Sequence, residues 1–245
     1  GGCRKKMYLF KSQIRYSECD SQARLSLAGL LNYFQDCSTF QSEVLGVGGK
    51  YLKENNLVWV LSSWQIVVNR YPGLCEEVET GTFPYGFKGC FGYRNFFMRT
   101  AEGETLAQAN SLWTLLNLEQ QTMAHPTERM KEVYEIQDKL PMEYASRKIA
   151  VPEDGMYEEP IVVKKHHLDT NHHVNNGQFV DMAMNSLPED FAIRQMRAEY
   201  RMQAHLGDEL IPYVVRTPGL CVVSLRSPEG KPYAVVEFMS NEMPG

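Results

Sequence analysis

The feature that most constrains the fold of this 245-residue chain is that its second half repeats its first. Setting Asp169 under Asp20 matches Thr170 with Ser21, Asn171 with Gln22, His173 with Arg24 and Val174 with Leu25. Further on, Gly207-Asp208-Glu209-Leu210 falls under Cys75-Glu76-Glu77-Val78, and the turn Ser227-Pro228-Glu229-Gly230 under Thr100-Ala101-Glu102-Gly103. Each half then reads as strand, helix and four strands. A helix with one apolar face followed by antiparallel strands buries that face on the sheet, so the class is α+β, built twice. Two such units side by side can join edges into one continuous sheet, which covers edges that would otherwise be exposed.

The elements are legible from local pattern. Residues 8 to 16 read as a first strand. Ser26 is a suitable N-cap for a long helix whose apolar residues Leu27, Leu30, Leu31, Phe34, Cys37, Val44 and Leu45 recur at three and four, with Gln41 as a polar interruption and Gly46 as the stop. Leu57 to Asn69, Glu76 to Pro84, Phe91 to Thr100 and Leu106 to Leu118 are β-rich, separated by turn residues such as Tyr71-Pro72-Gly73. Residues 120–160 are polar and spaced by Pro126, Pro141, Pro152 and Pro160, with one short helical possibility from Thr127 to Gln137. They are expected to link a first domain, 1–119, to a second, 161–245.

Composition narrows the function. With 43% hydrophobic residues the chain is not disordered, and a net charge of -5 argues against a general nucleic-acid binder. A small-molecule or acidic-protein substrate is expected. The six cysteines show neither C-x-x-C pairs nor the density of a disulfide scaffold, so reduced thiols in the cytoplasm are expected. No apolar run is long enough to span a membrane.

The chemistry concentrates in Leu168-Asp169-Thr170-Asn171-His172-His173-Val174-Asn175-Asn176. Read as an extended strand, this stretch points Asp169, Asn171 and His173 to one side, because alternate residues share a face. The first half has Gln22 and Arg24 at the matching places, and Val67 opposite Glu199, so only the second half holds a complete polar set. Glu199 is otherwise an ordinary solvent-facing strand residue paired with Arg197 or Arg201. Asn175-Asn176 reads as an N-cap, and the free N–H groups behind it suit an anion or a polarised carbonyl; Pro188 is expected to end that helix. His166, His167, His172 and His173 cluster, but without the spacing of a tetrahedral metal set, and no metal is expected. No cysteine lies beside these residues in sequence, so a hydrolase here would use water.

At these residues the chain resembles the acyl-ACP thioesterases, over most of its length from Tyr8 to Phe238. Leu168 to Asn176 looks like the family's L-D-x-N-x-H-V-N-N signature and Glu199-Tyr200-Arg201 like its E-Y-R segment. The resemblance implies a tandem hotdog fold, no cofactor, and hydrolysis of fatty acyl-ACP by water activated through Asp169, Asn171, His173 and Glu199; Glu199 is expected to be the general base, oriented by His173 and Asp169, with the division of labour between Glu199 and His173 left open by the sequence. It implies that the first half shapes the acyl pocket, for whose walls Trp59, Trp64, Phe34 and Leu31 are apolar candidates; Asn175 and Asn176, at the helix start that suits an oxyanion, are candidates to bind the substrate. Lys164, Lys165, Arg194, Arg197 and Arg201 are candidates to meet the acidic carrier. Ala204 stands where many plant members have a Cys, which disfavours a covalent route. An acyl-CoA thioesterase and a non-catalytic acyl-binding sensor are the alternatives, and a homodimer is compatible with either.

Overall fold

The computed structural model describes residues 7–240. The chain divides into two compact units, one containing residues up to Ser62 together with Val68–Tyr144, the other Ser63–Val67 together with the chain from Ala145 onward.

The first unit contains β1 (Tyr8–Gln13), α1 (Leu27–Val44), α2 (Gly49–Glu54), β2 (Leu57–Val68), β3 (Glu77–Lys88), β4 (Phe91–Thr100), β5 (Thr105–Asn117), β6 (Thr122–Met123) and α3 (Glu128–Val133). Helix α1 begins as its sequence dictates, with the Ser26 hydroxyl accepting the Gly29 N–H at 3.0 Å, a cap worth about 1 kcal/mol. It ends at Gly46, which holds φ +75°, a conformation that costs glycine little. Leu27, Leu30, Leu31, Phe34 and Cys37 are buried, and the Phe34 ring packs at 5.3 Å on Phe96 of β4. Strands run antiparallel in the order β1-β3-β4-β5-β2, with β6 on β5. The short α2 carries no signal strong enough to predict.

Gln41 interrupts the apolar face for a reason. Arg94 of β4 is buried beneath α1, and its Nη1 donates to Gln41 Oε1 at 2.6 Å and to Thr82 Oγ1 at 3.0 Å. Its guanidinium lies 5.4 Å from the Tyr134 ring centroid, and burial pushes its pKa down while Tyr134 and Cys37 act the other way. Removing an acceptor from a buried cation is expensive, so Gln41→Leu is expected to lower unfolding free energy by about 1 to 3 kcal/mol despite adding apolar surface. Urea unfolding with an unchanged slope checks this.

Residues 120–144 are not a detached linker. Thr127 caps α3 by accepting the Met130 N–H, and Met130 and Tyr134 are buried in a cluster with Val47, Leu57 and Leu115 of the first unit. The prolines limit regular structure there, yet the buried side chains anchor the segment.

The second unit contains β7 (Met156–Tyr157), β8 (Ile161–Val162), α4 (Asn176–Met184), β9 (Ile193–Tyr200), β10 (Glu209–Thr217), β11 (Leu220–Arg226) and β12 (Pro232–Ser240). Its sheet starts with Ser63–Val67 of β2, which pair antiparallel with β9, and continues β12-β11-β10-β7, with β8 on β10. Helix α4 is shorter than its counterpart and stops at Met184, before Pro188 is reached; beyond it the N–H groups of Asn185, Ser186 and Leu187 tighten to the carbonyls of Met182, Ala183 and Met184. Phe179, Val180, Met182 and Ala183 are its buried face. Strand β9 ends at Tyr200, because the Arg201 and Met202 N–H groups both turn to the Tyr233 carbonyl. Among the described residues no helix is long and apolar enough to cross a membrane.

Candidate active site

The stretch from Asp169 to His173 is a closed turn, not an extended strand. Asp169 Oδ1 accepts the N–H of Asn171 at 2.9 Å and of His173 at 3.1 Å, while Asp169 N–H donates to the His173 carbonyl at 2.8 Å. His172 takes φ +61° to make the bend, and Leu168 and Val174 bridge below it. A carboxylate that captures N–H groups two and four residues on competes directly with strand pairing, and here it wins. Asn171 is exposed at the tip and His173 is half-buried.

The first unit contains the same turn. Asp20 Oδ1 accepts the N–H of Gln22 at 2.9 Å and of Arg24 at 3.2 Å, Ala23 takes φ +56°, and Cys19 bridges Leu25. The backbone device is thus duplicated, and what differs is the side chains it presents. Gln22 and Arg24 hydrogen-bond each other at 2.6 Å in the first copy, whereas the second copy presents Asn171 and His173.

Immediately after the turn, the Asn175 side chain caps α4 by accepting the Gly177 N–H at 2.9 Å, and the Asn175 carbonyl takes the Gln178 N–H. The Asn176 N–H is left at the helix start, where the helix dipole adds to its pull on negative charge. The Asn176 carbonyl accepts from the Tyr200 hydroxyl at 3.0 Å, and Tyr200 in turn accepts the Trp64 indole N–H at 3.2 Å. Burial pushes the Tyr200 pKa up, so its hydroxyl keeps the proton it donates. Trp64 is 3% exposed, and its polar end works as a tether on the helix start. Phe34 lies in the first unit's core.

Asp169, Asn171 and His173 therefore share one turn, Asn175 and Asn176 follow it at the helix start, and Glu199 is bonded elsewhere. On β9, Tyr200 reaches the α4 start, while its neighbour Glu199 points to the other face of the sheet. There Glu199 Oε2 accepts the Ile149 N–H at 2.9 Å and Oε1 the Arg201 Nε at 3.1 Å. The same face holds Gln65, which accepts the Ala145 N–H, and Arg197, which donates to the Ser146 carbonyl and pairs with Glu237. These three side chains fasten residues 145–149 across the sheet, with Ile149 packed on Val222 and Val235. The repeat asymmetry at Glu199 thus marks a strap. Glu199→Ala is expected to cost about 1 to 3 kcal/mol, and hydrogen exchange should show residues 145–151 losing protection first.

His167 is occupied structurally, its Nδ1 accepting the Lys164 N–H at 2.9 Å, and burial pushes its pKa down. Among the described residues no group of three or more His, Cys, Asp or Glu is arranged to hold an ion. Burial pushes the Cys221 thiol up and the Cys37 thiol up to about 12, so neither supplies a thiolate near neutral pH. Lys164 and Lys165 stand exposed beside the turn, whereas Arg197 and Arg201 are engaged with Glu237 and Glu199.

Comparison with known proteins gives a consistent match. The description "Acyl-ACP thioesterase N-terminal domain" fits residues 5–135, and "Acyl-ACP thioesterase C-terminal domain" fits residues 152–215. A palmitoyl-acyl carrier protein thioesterase of Arabidopsis thaliana, named as chloroplastic, is 26% identical over 209 residues, 78% of this chain and 50% of that protein. A chloroplastic acyl-[acyl-carrier-protein] hydrolase of Cuphea viscosissima is 24% identical over 222 residues, 80% of this chain and 51% of that one. The chain thus spans about half the length of these curated relatives. Among solved structures, an acyl-ACP thioesterase from Bacteroides thetaiotaomicron superposes with a TM-score of 0.87 at 22% identity, covering 96% of this chain and 97% of that one. The 12:0-ACP thioesterase from Umbellularia californica gives 0.86 at 17% identity, covering 99% and 100%. The fold they share with this chain is the double hotdog.

Proposed function

This chain belongs to the acyl-ACP thioesterase family, and from that premise we propose that it hydrolyses the thioester of a fatty acyl chain on acyl carrier protein, releasing the free acid. The observation that carries the reading is the duplicated aspartate turn, which presents Asn171 and His173 beside a helix start in the second unit and only Gln22 and Arg24 in the first.

In this reading His173 is the general base. Its imidazole takes a proton from water as the water oxygen attacks the thioester carbonyl carbon. The Asn171 amide, at the tip of the same turn, orients the water or the carbonyl. Negative charge growing on the carbonyl oxygen meets the Asn176 N–H and the start of α4. The tetrahedral intermediate then collapses, the C–S bond breaks, and the thiolate departs with a proton returned from His173. A thiol pKa of about 8.5 makes that departure undemanding, so the protein's work is concentrated on water and the oxyanion. Asp169 shapes the turn, and Trp64 and Tyr200 hold the helix start by their hydrogen bonds.

The partner in this reading is acyl carrier protein, an acidic surface for which Lys164 and Lys165 offer exposed charge next to the turn. The free thiols of Cys19, Cys37, Cys75, Cys90 and Cys221 suit a reducing compartment such as the cytoplasm. The deciding experiment is free-thiol release from the same acyl chain on the carrier protein and on CoA. Faster release from the carrier supports the proposal. Equal or faster release from CoA would make this an acyl-CoA thioesterase, and tight acyl binding with no thiol released would make it a sensor.

A further inference from the structure

His205 occupies a place beside His173 that nothing in the signature Leu168 to Asn176 announces. The two rings meet edge to face, with centroids 4.9 Å apart and planes at 80°. Backbone bonds hold the loops that carry them together. Val174 N–H donates to the Ala204 carbonyl at 2.9 Å, Val163 N–H to Asp208 at 2.9 Å, and Gly207 N–H to Val163 at 3.0 Å. Gly207 makes this possible with φ +85°, and Asp208 Oδ2 fixes the turn by accepting the His205 N–H at 2.8 Å.

The first unit builds the same clasp, with Leu25 on Pro72 at 2.8 Å, Ile14 on Glu76 at 3.0 Å and Cys75 on Ile14 at 2.9 Å. Glu76 there accepts the Gly73 N–H, as Asp208 accepts that of His205. The residue matching His205 is therefore Gly73, bridged to Arg24. A side chain stands opposite the functional turn only in the copy that carries His173.

Among the described residues, the His173 imidazole makes no side-chain hydrogen bond, and His205 is the ring against it. A general base is ordinarily oriented by a third group. We propose that His205 is a positioning residue for His173, its ring fixing the plane of the base through the edge-to-face contact. Asp208 holds His205 in turn, its Oδ2 accepting the His205 N–H at 2.8 Å. The proposal rests on His173 being the base.

The test compares wild type, His205→Ala, His205→Phe and His173→Ala by steady-state thiol release from acyl-ACP and by nitrogen–proton correlation spectra of the His173 ring. An aromatic pair on a half-open surface predicts a fall in kcat of about 3- to 10-fold for His205→Ala at unchanged KM, with the His173 ring signals moved. His205→Phe, which keeps the ring contact, should restore kcat to within about twofold. An alanine variant with kcat and ring signals both unmoved overturns the proposal, as does a phenylalanine variant that falls as far as alanine. Full activity in His173→Ala would instead refute the catalytic reading, and the ring signals would still decide whether His205 orients His173.

Discussion

Replacing His173 by alanine is expected to lower kcat for thioester hydrolysis by about 10²- to 10⁴-fold, the range associated with losing a positioned general base. KM should change little, since in the proposed mechanism the imidazole acts on water and not on the acyl chain. The fold should survive, because the turn is closed by Asp169 and the backbone of residue 173, both of which remain. Measuring kcat and KM by thiol release, beside a melting curve, separates a catalytic loss from an unfolded protein. Arg24→Ala, the matching change in the first unit, should leave kcat where it was.

The second large effect is expected at Asp169. Its carboxylate closes the turn through the N–H groups of Asn171 and His173, and alanine leaves both without that partner. Stability should fall by about 1 to 3 kcal/mol. Activity should fall further than stability alone explains, by about 10- to 100-fold in kcat, because a displacement on the order of 1 Å in a catalytic group is enough for such a loss. Asp20→Ala removes the same two bonds from the first copy. It should cost comparable stability and leave kcat unchanged, so the pair distinguishes a turn that serves the site from one that serves only the fold. Parallel denaturation and kinetics on the two variants measure this directly.

Much of this was legible in the chain. Ser26 and Gly46 bound α1 as the structure has it and its apolar face holds from Leu27 to Cys37, whereas Val44, counted on that face from spacing, lies exposed at the helix end; Asn175 caps α4 as its place before Phe179 suggests. The repeat extends from the helix and strand order down to single hydrogen bonds, with Asp20 and Asp169 closing the same turn. Periodicity reports these features because caps and apolar faces depend on residues close in sequence.

What the sequence concealed depends on competition or on distance. Asp169, Asn171 and His173 satisfy strand alternation and an aspartate turn equally well on paper, and only the captured N–H groups decide for the turn. Glu199 sits on the opposite sheet face from Tyr200, a matter of where β9 places its alternation, which a one-residue change of phase would reverse. His205 was hidden because the apolar pattern of β9 runs on past Tyr200, whereas its backbone turns away to Tyr233 and carries Ala204 and His205 over to Val174 and His173. Residues 120–144 look like a linker in composition, yet Met130 and Tyr134 are enough to seat them.

In the proposed mechanism chemistry occurs on the α4 side of the sheet, at His173, and Glu199 on the other side holds the strap. Single-turnover thiol release by Glu199→Gln beside His173→Ala tests it most directly, because glutamine still accepts the Ile149 N–H but cannot act as a base at neutral pH. Glu199→Gln is expected to stay within about threefold of wild type while His173→Ala loses about 10²-fold or more. A Glu199→Gln rate as low as that of His173→Ala would contradict it.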